Sequence, residues 1–253
     1  TITTCHERTH EVHYLNSKGG YQAVYLGKGV FYKLPIPTKV KLEQVKGKVP
    51  ENLQDHRFQT YVLKQSTNRY ETINGTVMWI QGWNDNVLYL LNEWVAYNNG
   101  AQAGKEDAEN GMYPKHRSDL FLAPVEMMIY AVAMYQLIYE KDPQYIKDNP
   151  KITELFEKEI KRSVSLYNYG QKNVKLTWPS TMLDDFYRSG LWKKSPLRKR
   201  EQQNFILRQE SSLRISNQNV HCKTRSLSYF TSFGKHRGTP SFSIKRKLSR
   251  LDI

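Results

Sequence analysis

The chain has 253 residues, a hydrophobic content of 39%, and 38 Lys and Arg against 24 Asp and Glu, for a net charge of +14. Aromatic residues make up 12%, which excludes a wholly disordered chain, since such chains are poor in them. Two cysteines, Cys5 and Cys222, exclude a disulfide framework and fit a reducing compartment.

Taken in order, the patterns predict an α+β chain: a small N-terminal antiparallel β-rich part (1–68), a central helical part (69–190) and an extended basic C-terminal tail (191–253). Residues 5–13, CHERTHEVH, carry Cys5, His6, His10 and His13. Thiolate and imidazole are zinc ligands, but the segment does not read as the paired C-x-x-C and H-x-x-x-H halves of a zinc finger. The segment is therefore expected to be ordinary surface, with no metal and no cofactor.

From Glu11 the runs EVHYL, YQAVYL and VFYKL are separated by Gly, Asn and Ser, as short antiparallel strands with tight turns would be. Gly27 and Gly29 lie between strands and read as turn glycines. A phosphate loop would lead into a helix. The alternation in Lys39–Val45 predicts a further strand, as does Arg57–Gln65. Residues 11–66 thus read as a small β-meander or barrel.

Asn84 or Asp85 is placed to cap a helix running through VLYLLNEWVAYNN and stopping at Gly100. Residues 99–118 then read as a polar loop. Its acidic cluster, Glu106, Asp107 and Glu109, lacks the spacing of a calcium loop. Leu120–Tyr139 is the most apolar stretch and nearly long enough to span a bilayer. Glu126, Gln136 and the early Pro124 favour a buried core helix instead. A second amphipathic helix is predicted over Lys151–Tyr169, with Glu154 paired to Lys158 and Glu157 to Lys161 on its outer face. A short segment after Ser180 follows, in which the adjacent Asp184 and Asp185 point apart.

The last quarter is distinct. Residues 189–253 hold 15 Lys and Arg against 3 Asp and Glu, whereas residues 1–188 hold 23 against 21. Ser195-Pro196 signals a helix start, and residues 196–210 are expected to form a short charged helix. Beyond Ser211 the tail is rich in Ser, Thr, Asn and Gly, with spaced cations and interleaved Tyr229, Phe230 and Phe233. Spaced cations can follow phosphates while aromatics stack on bases. The expected RNA-binding residues are Lys193, Lys194, Arg198, Lys199, Arg200, Arg208, Arg214, Lys223, Arg225, Tyr229, Phe230, Lys235, Arg237, Lys245, Arg246, Lys247 and Arg250.

In composition and layout the chain resembles a ribosomal protein. That resemblance implies a non-catalytic subunit of a ribonucleoprotein particle, bound to rRNA and neighbouring proteins. A start at Thr1 without Met suggests a processed form, hence the mitochondrial matrix, with the cytoplasm as the alternative. Two other roles stay open: an accessory subunit of a membrane complex anchored by residues 120–139, and a viral nucleic-acid-associated structural protein. No nucleophile motif or phosphate loop in context is recognised, so an enzyme is not expected.

Overall fold

The computed structural model of the chain describes residues 2–54, 67, 69–73, 75–80, 82–112, 118–173 and 181–198, all within one unit, Thr1–Gln203. Its first element corrects the β reading of the N-terminus: Ile2–Asn16 is a helix, α1. Its buried residues, Ile2, Thr9 and His13, stand at i, i+7 and i+11 on one helical stripe. Two of the three are polar, so hydrophobic periodicity does not reveal the stripe.

Strands β1 (Tyr21–Gly27) and β2 (Val30–Pro35) pair antiparallel, with Val24 opposite Tyr32. The expected tight turn joins them. Lys28 and Gly29 have φ of 50° and 78°, both left-handed, as the two central residues of a type I′ hairpin turn are. The strand expected over Lys39–Val45 is instead the approach to and start of a helix, α2 (Leu42–Lys48). Leu42, Val45 and Val49 are buried at i, i+3 and i+7, a helical spacing that the shorter alternation masked. The Gln44 side chain accepts the Lys41 N–H at 3.2 Å and closes the first turn. Among the described residues, the N-terminal sheet is therefore one hairpin between helices, not a meander or barrel. The strand expected over Arg57–Gln65 lies outside the described residues. A second hairpin, β3 (Arg69–Ile73) with β4 (Thr76–Ile80), turns at Gly75.

The helix expected to stop at Gly100 does not stop there. It is α3 (Tyr89–Glu109), and it runs through Gly100 and Gly104 into what reads as a polar loop. Asn84 and Asp85 sit in a 3-10 turn ahead of it, and Leu88 occupies its N-cap. The two glycines face α1. A Cβ on Gly100 would lie 3.4 Å from the Ile2 carbonyl oxygen, and one on Gly104 would lie 3.2 Å from Ile2 Cδ1 and against Leu120. They act as spacers that let two helices touch. Their helical cost, about 1 kcal/mol each against alanine, is offset by that contact.

Helix α4 (Ala123–Lys141) is buried from Ala123 to Ile138, as the core-helix reading expects. Among the elements that meet it are α2, α3, a short helix α5 (Pro143–Asp148) and the long α6 (Pro150–Asn173). A helix covered on all sides is apolar all round. Among the described residues no helix is long and apolar enough to cross a membrane.

Helix α6 buries Ile152, Leu155, Phe156 and Ile160 along the apolar stripe that its sequence spells, and Val164 on the same stripe packs half-buried against the core. Its Lys158 donates to the Tyr32 hydroxyl at 2.7 Å, tying the helix to β2. A buried chain of hydrogen bonds fixes α3 against α6. Trp94 Nε1 donates to Ser163 Oγ at 2.8 Å, Ser163 Oγ to Asn98 Oδ1 at 2.9 Å, and Asn98 Nδ2 to Glu159 Oε2 at 2.6 Å. Two short helices, α7 (Met182–Arg188) and α8 (Gly190–Lys194), close the described chain. Leu191, Trp192 and Leu197 join the main core. Ser195 Oγ accepts the Leu197 N–H at 3.3 Å, so a helical turn starts at Ser195-Pro196 as read from the sequence. The remainder of the expected 196–210 helix lies outside the described residues.

Replacing Gly100 by Leu would drive a branched side chain into the Ile2 backbone. We expect a loss of about 1–3 kcal/mol, as for other overpacked core sites, read as a lower urea midpoint at an unchanged slope.

Candidate metal centre

His6 and His10 stand one turn apart on α1 and so share a face. On α3, Glu93, Tyr97 and Gly100 share the opposing face at i, i+4 and i+7. The close contact at Gly100 and Gly104 therefore brings Glu93 to the two imidazoles. The Nε2 atoms of His6 and His10 are 3.0 Å apart. Glu93 Oε2 lies 3.7 Å from His6 Nε2, and Oε1 lies 3.5 Å from His10 Nε2. Tetrahedral zinc with bonds of about 2.0–2.1 Å sets its ligand atoms about 3.3–3.4 Å apart. The three observed separations bracket that value. Among the described residues these three make the one cluster with metal-ligating spacing. Side-chain exposures of 16%, 26% and 10% leave the site half-buried, with an opening to solvent.

The charges fit a cation. Burial lowers the His6 pKa, and the Glu93 carboxylate offsets only part of that. Burial also acts to lower that of His10, but the hydrogen bond and charge of Glu93 outweigh it and the net shift is upward. One proton thus binds readily where two imidazoles and a carboxylate converge, and a divalent ion satisfies the same lone pairs. The surroundings also suit ligands that must be held in one orientation. The Tyr97 ring packs edge-on against that of His6, at a centroid distance of 4.6 Å. His13 lies deeper on the same face of α1. Burial, and then the charge of His10, push its pKa down to about 4, so it is neutral at physiological pH.

Residues 5–13 are therefore not ordinary surface: Thr9 and His13 are buried, and His6 and His10 face Glu93. The overlooked signal is short. His6-Glu7-Arg8-Thr9-His10 is an H-E-x-x-H sequence, which on a helix sets two imidazoles toward one ion. The reading of this segment as ordinary surface conceals it, because only a helix makes residues i and i+4 neighbours, whereas in an extended chain they are about 13 Å apart. Glu93 carries no comparable signal, since its partner helix is distant in the chain. Glu7 is exposed, and its charge raises the proton affinity of both rings. Cys5 points elsewhere, with its Sγ 3.5 Å from the Asn99 carbonyl oxygen.

Of the expected RNA-binding residues, Lys193 and Lys194 are exposed at the end of α8 and Arg198 is half-buried. The other fourteen, from Lys199 to Arg250, lie outside the described residues. In the acidic cluster, Glu109 pairs with Lys105 at 2.9 Å and Glu106 accepts from Gln102 at 3.0 Å.

Titration with Zn²⁺ should load one ion per chain. Affinity should fall as pH drops and protons compete for His10, whose pKa is raised. His10→Ala and Glu93→Gln should each weaken it by at least about 10–100-fold, the cost already seen for second-layer residues. Unchanged affinity in both variants, by competition with a fluorescent chelator, would exclude the site. No family model, no curated protein and no solved structure matches the chain.

Proposed function

We propose that this chain is a zinc-dependent hydrolase of amide bonds, a reading that departs from the non-catalytic role suggested by composition. The observation that carries it is the convergence of His6, His10 and Glu93, with Glu7 beside the first ligand. Three protein ligands leave a fourth position for water, which is the arrangement of catalytic zinc. A structural site would close with four. Two imidazoles and one carboxylate also suit non-haem Fe²⁺. Glu7, the residue after the first ligand, favours the hydrolytic reading, because oxygen chemistry needs no carboxylate base there.

Bound zinc supplies a Lewis acid and lowers the pKa of water to about 7. Glu7 takes a proton from the attacking water and returns it to the departing nitrogen. Its exposure leaves it reachable by substrate. His6, His10 and Glu93 would hold the ion, and the Tyr97 ring packs against that of His6. Glu7→Gln should lower kcat on fluorescently labelled casein by about 10²–10⁴-fold with zinc stoichiometry unchanged. Full activity in that variant would rule out Glu7 as the base.

A second reading concerns the C-terminal segment and is favoured by its charge, 15 Lys and Arg against 3 Asp and Glu. We propose that it binds RNA, along the cations from Lys193 to Arg250, and brings the body to a ribonucleoprotein particle or another polyanion. A mitochondrial ribosome is one such setting. Trp192 and Leu197 are buried in the core, so a truncation that spares the body begins at residue 199. That truncation should abolish binding to single-stranded RNA. The full chain should show an affinity that falls with salt, by roughly 0.7 log units per phosphate contact and decade. A truncated body that binds with the same salt slope would remove this role.

A further inference from the structure

A cavity of about 980 Å³ lies between α1, the β1–β2 turn, α3 and α6. It uses another face of α1 from the metal ligands, the one bearing Cys5, Arg8, Thr9 and Val12. Small-molecule sites occupy about 300–1,000 Å³ and combine apolar walls with a few placed polar groups. Here Val12, Leu26 and Val30 supply the apolar wall.

The charged groups lining the cavity are Arg8, Lys28, Lys158 and Arg162 against Glu106 and Glu159, four basic to two acidic. The two acids are already engaged. Glu159 accepts from Asn98 and lies 3.6 Å from Arg162, and Glu106 accepts from Gln102. Lys158 is held by Tyr32, and Arg162 donates to the Leu26 carbonyl at 3.3 Å. Arg8 and Lys28 are exposed and form no ion pair with a described residue. Lys28 is also the only described non-glycine residue with positive φ. A type I′ turn favours Asn, Asp or Gly at that position. The hairpin thus holds a lysine in a costly conformation at the cavity rim, where an asparagine would make the turn more easily. Strain of this kind, kept where a charge faces a cavity, points to a ligand.

We infer that the cavity binds a small amphipathic anion, its apolar body against Val12, Leu26 and Val30 and its carboxylate or phosphate on Arg8 and Lys28. Two unpaired cations lining one cavity can hold such an oxyanion by charge-assisted hydrogen bonds. The site is separate from the zinc centre, so it stands or falls without the hydrolase reading.

The test is thermal unfolding of the full chain with octanoate, octyl phosphate, octanol and acetate, followed by calorimetric titration of any binder. Octanoate or octyl phosphate should raise Tm, and the tighter of the two identifies the headgroup. Octanol lacks the charge and acetate lacks the apolar body, so neither should shift it. The double variant Arg8→Gln, Lys28→Asn should bind about tenfold or more weakly, the scale of a lost charged hydrogen bond. Both positions are exposed and Asn suits the turn, so the variant keeps the fold. No shift with either anion, an equal shift with octanol, or undiminished binding by the double variant would each overturn the assignment.

Discussion

The contact on which the rest depends is the approach of α1 to α3 at Gly100 and Gly104. Two helices normally keep about 8–10 Å between their axes, set by the side chains at the crossing. Glycine at both positions removes those side chains, and Ile2 settles against bare backbone. The same crossing puts His6 and His10 on Glu93, and Asn99 on Thr9 Oγ1 at 3.1 Å. Without it, α1 would be a polar helix with no apolar stripe to hold it. Its place is fixed by fit and by hydrogen bonds more than by hydrophobic area.

Such a contact is useful only if α3 cannot rotate. The hydrogen-bonded chain from Trp94 through Ser163 and Asn98 to Glu159 prevents that from inside the core. Burying a carboxylate is expensive unless it is paired, and Glu159 meets this with Asn98 and Arg162, although burial still raises its pKa. Trp94 and Asn98 face α6 while Glu93 and Tyr97 face α1, so the network sets which way the candidate ligand points. Polar groups that would be liabilities singly here specify the orientation of one helix.

The long apolar helix was legible because its signal is local and needs no partner to be read. The α6 stripe and the turn at Gly27–Gly29 were legible for the same reason. α1 was not, because its buried positions are Thr and His. α2 was misread because seven residues allow both an alternating and a helical count. Gly100 was misread because the residue that ends helices is also the residue that lets them pack closely. Of the candidate metal centre, two of the three ligands stand in the sequence as H-E-x-x-H, which brings two imidazoles together only when the segment is a helix.

The sequence by itself determined the helix-forming stripes, the hairpin turn, the near-neutral body and the strongly basic last quarter. These depend on neighbours within a few residues, where periodicity, turn chemistry and charge density act directly. Tertiary structure alone decided that Glu93 belongs with His6 and His10, and that a cavity opens beside α1. Both require groups more than eighty residues apart in the chain to lie within a few ångströms. What brings them there is packing: two glycines that admit a helix, and a buried hydrogen-bond chain that turns its partner to meet it.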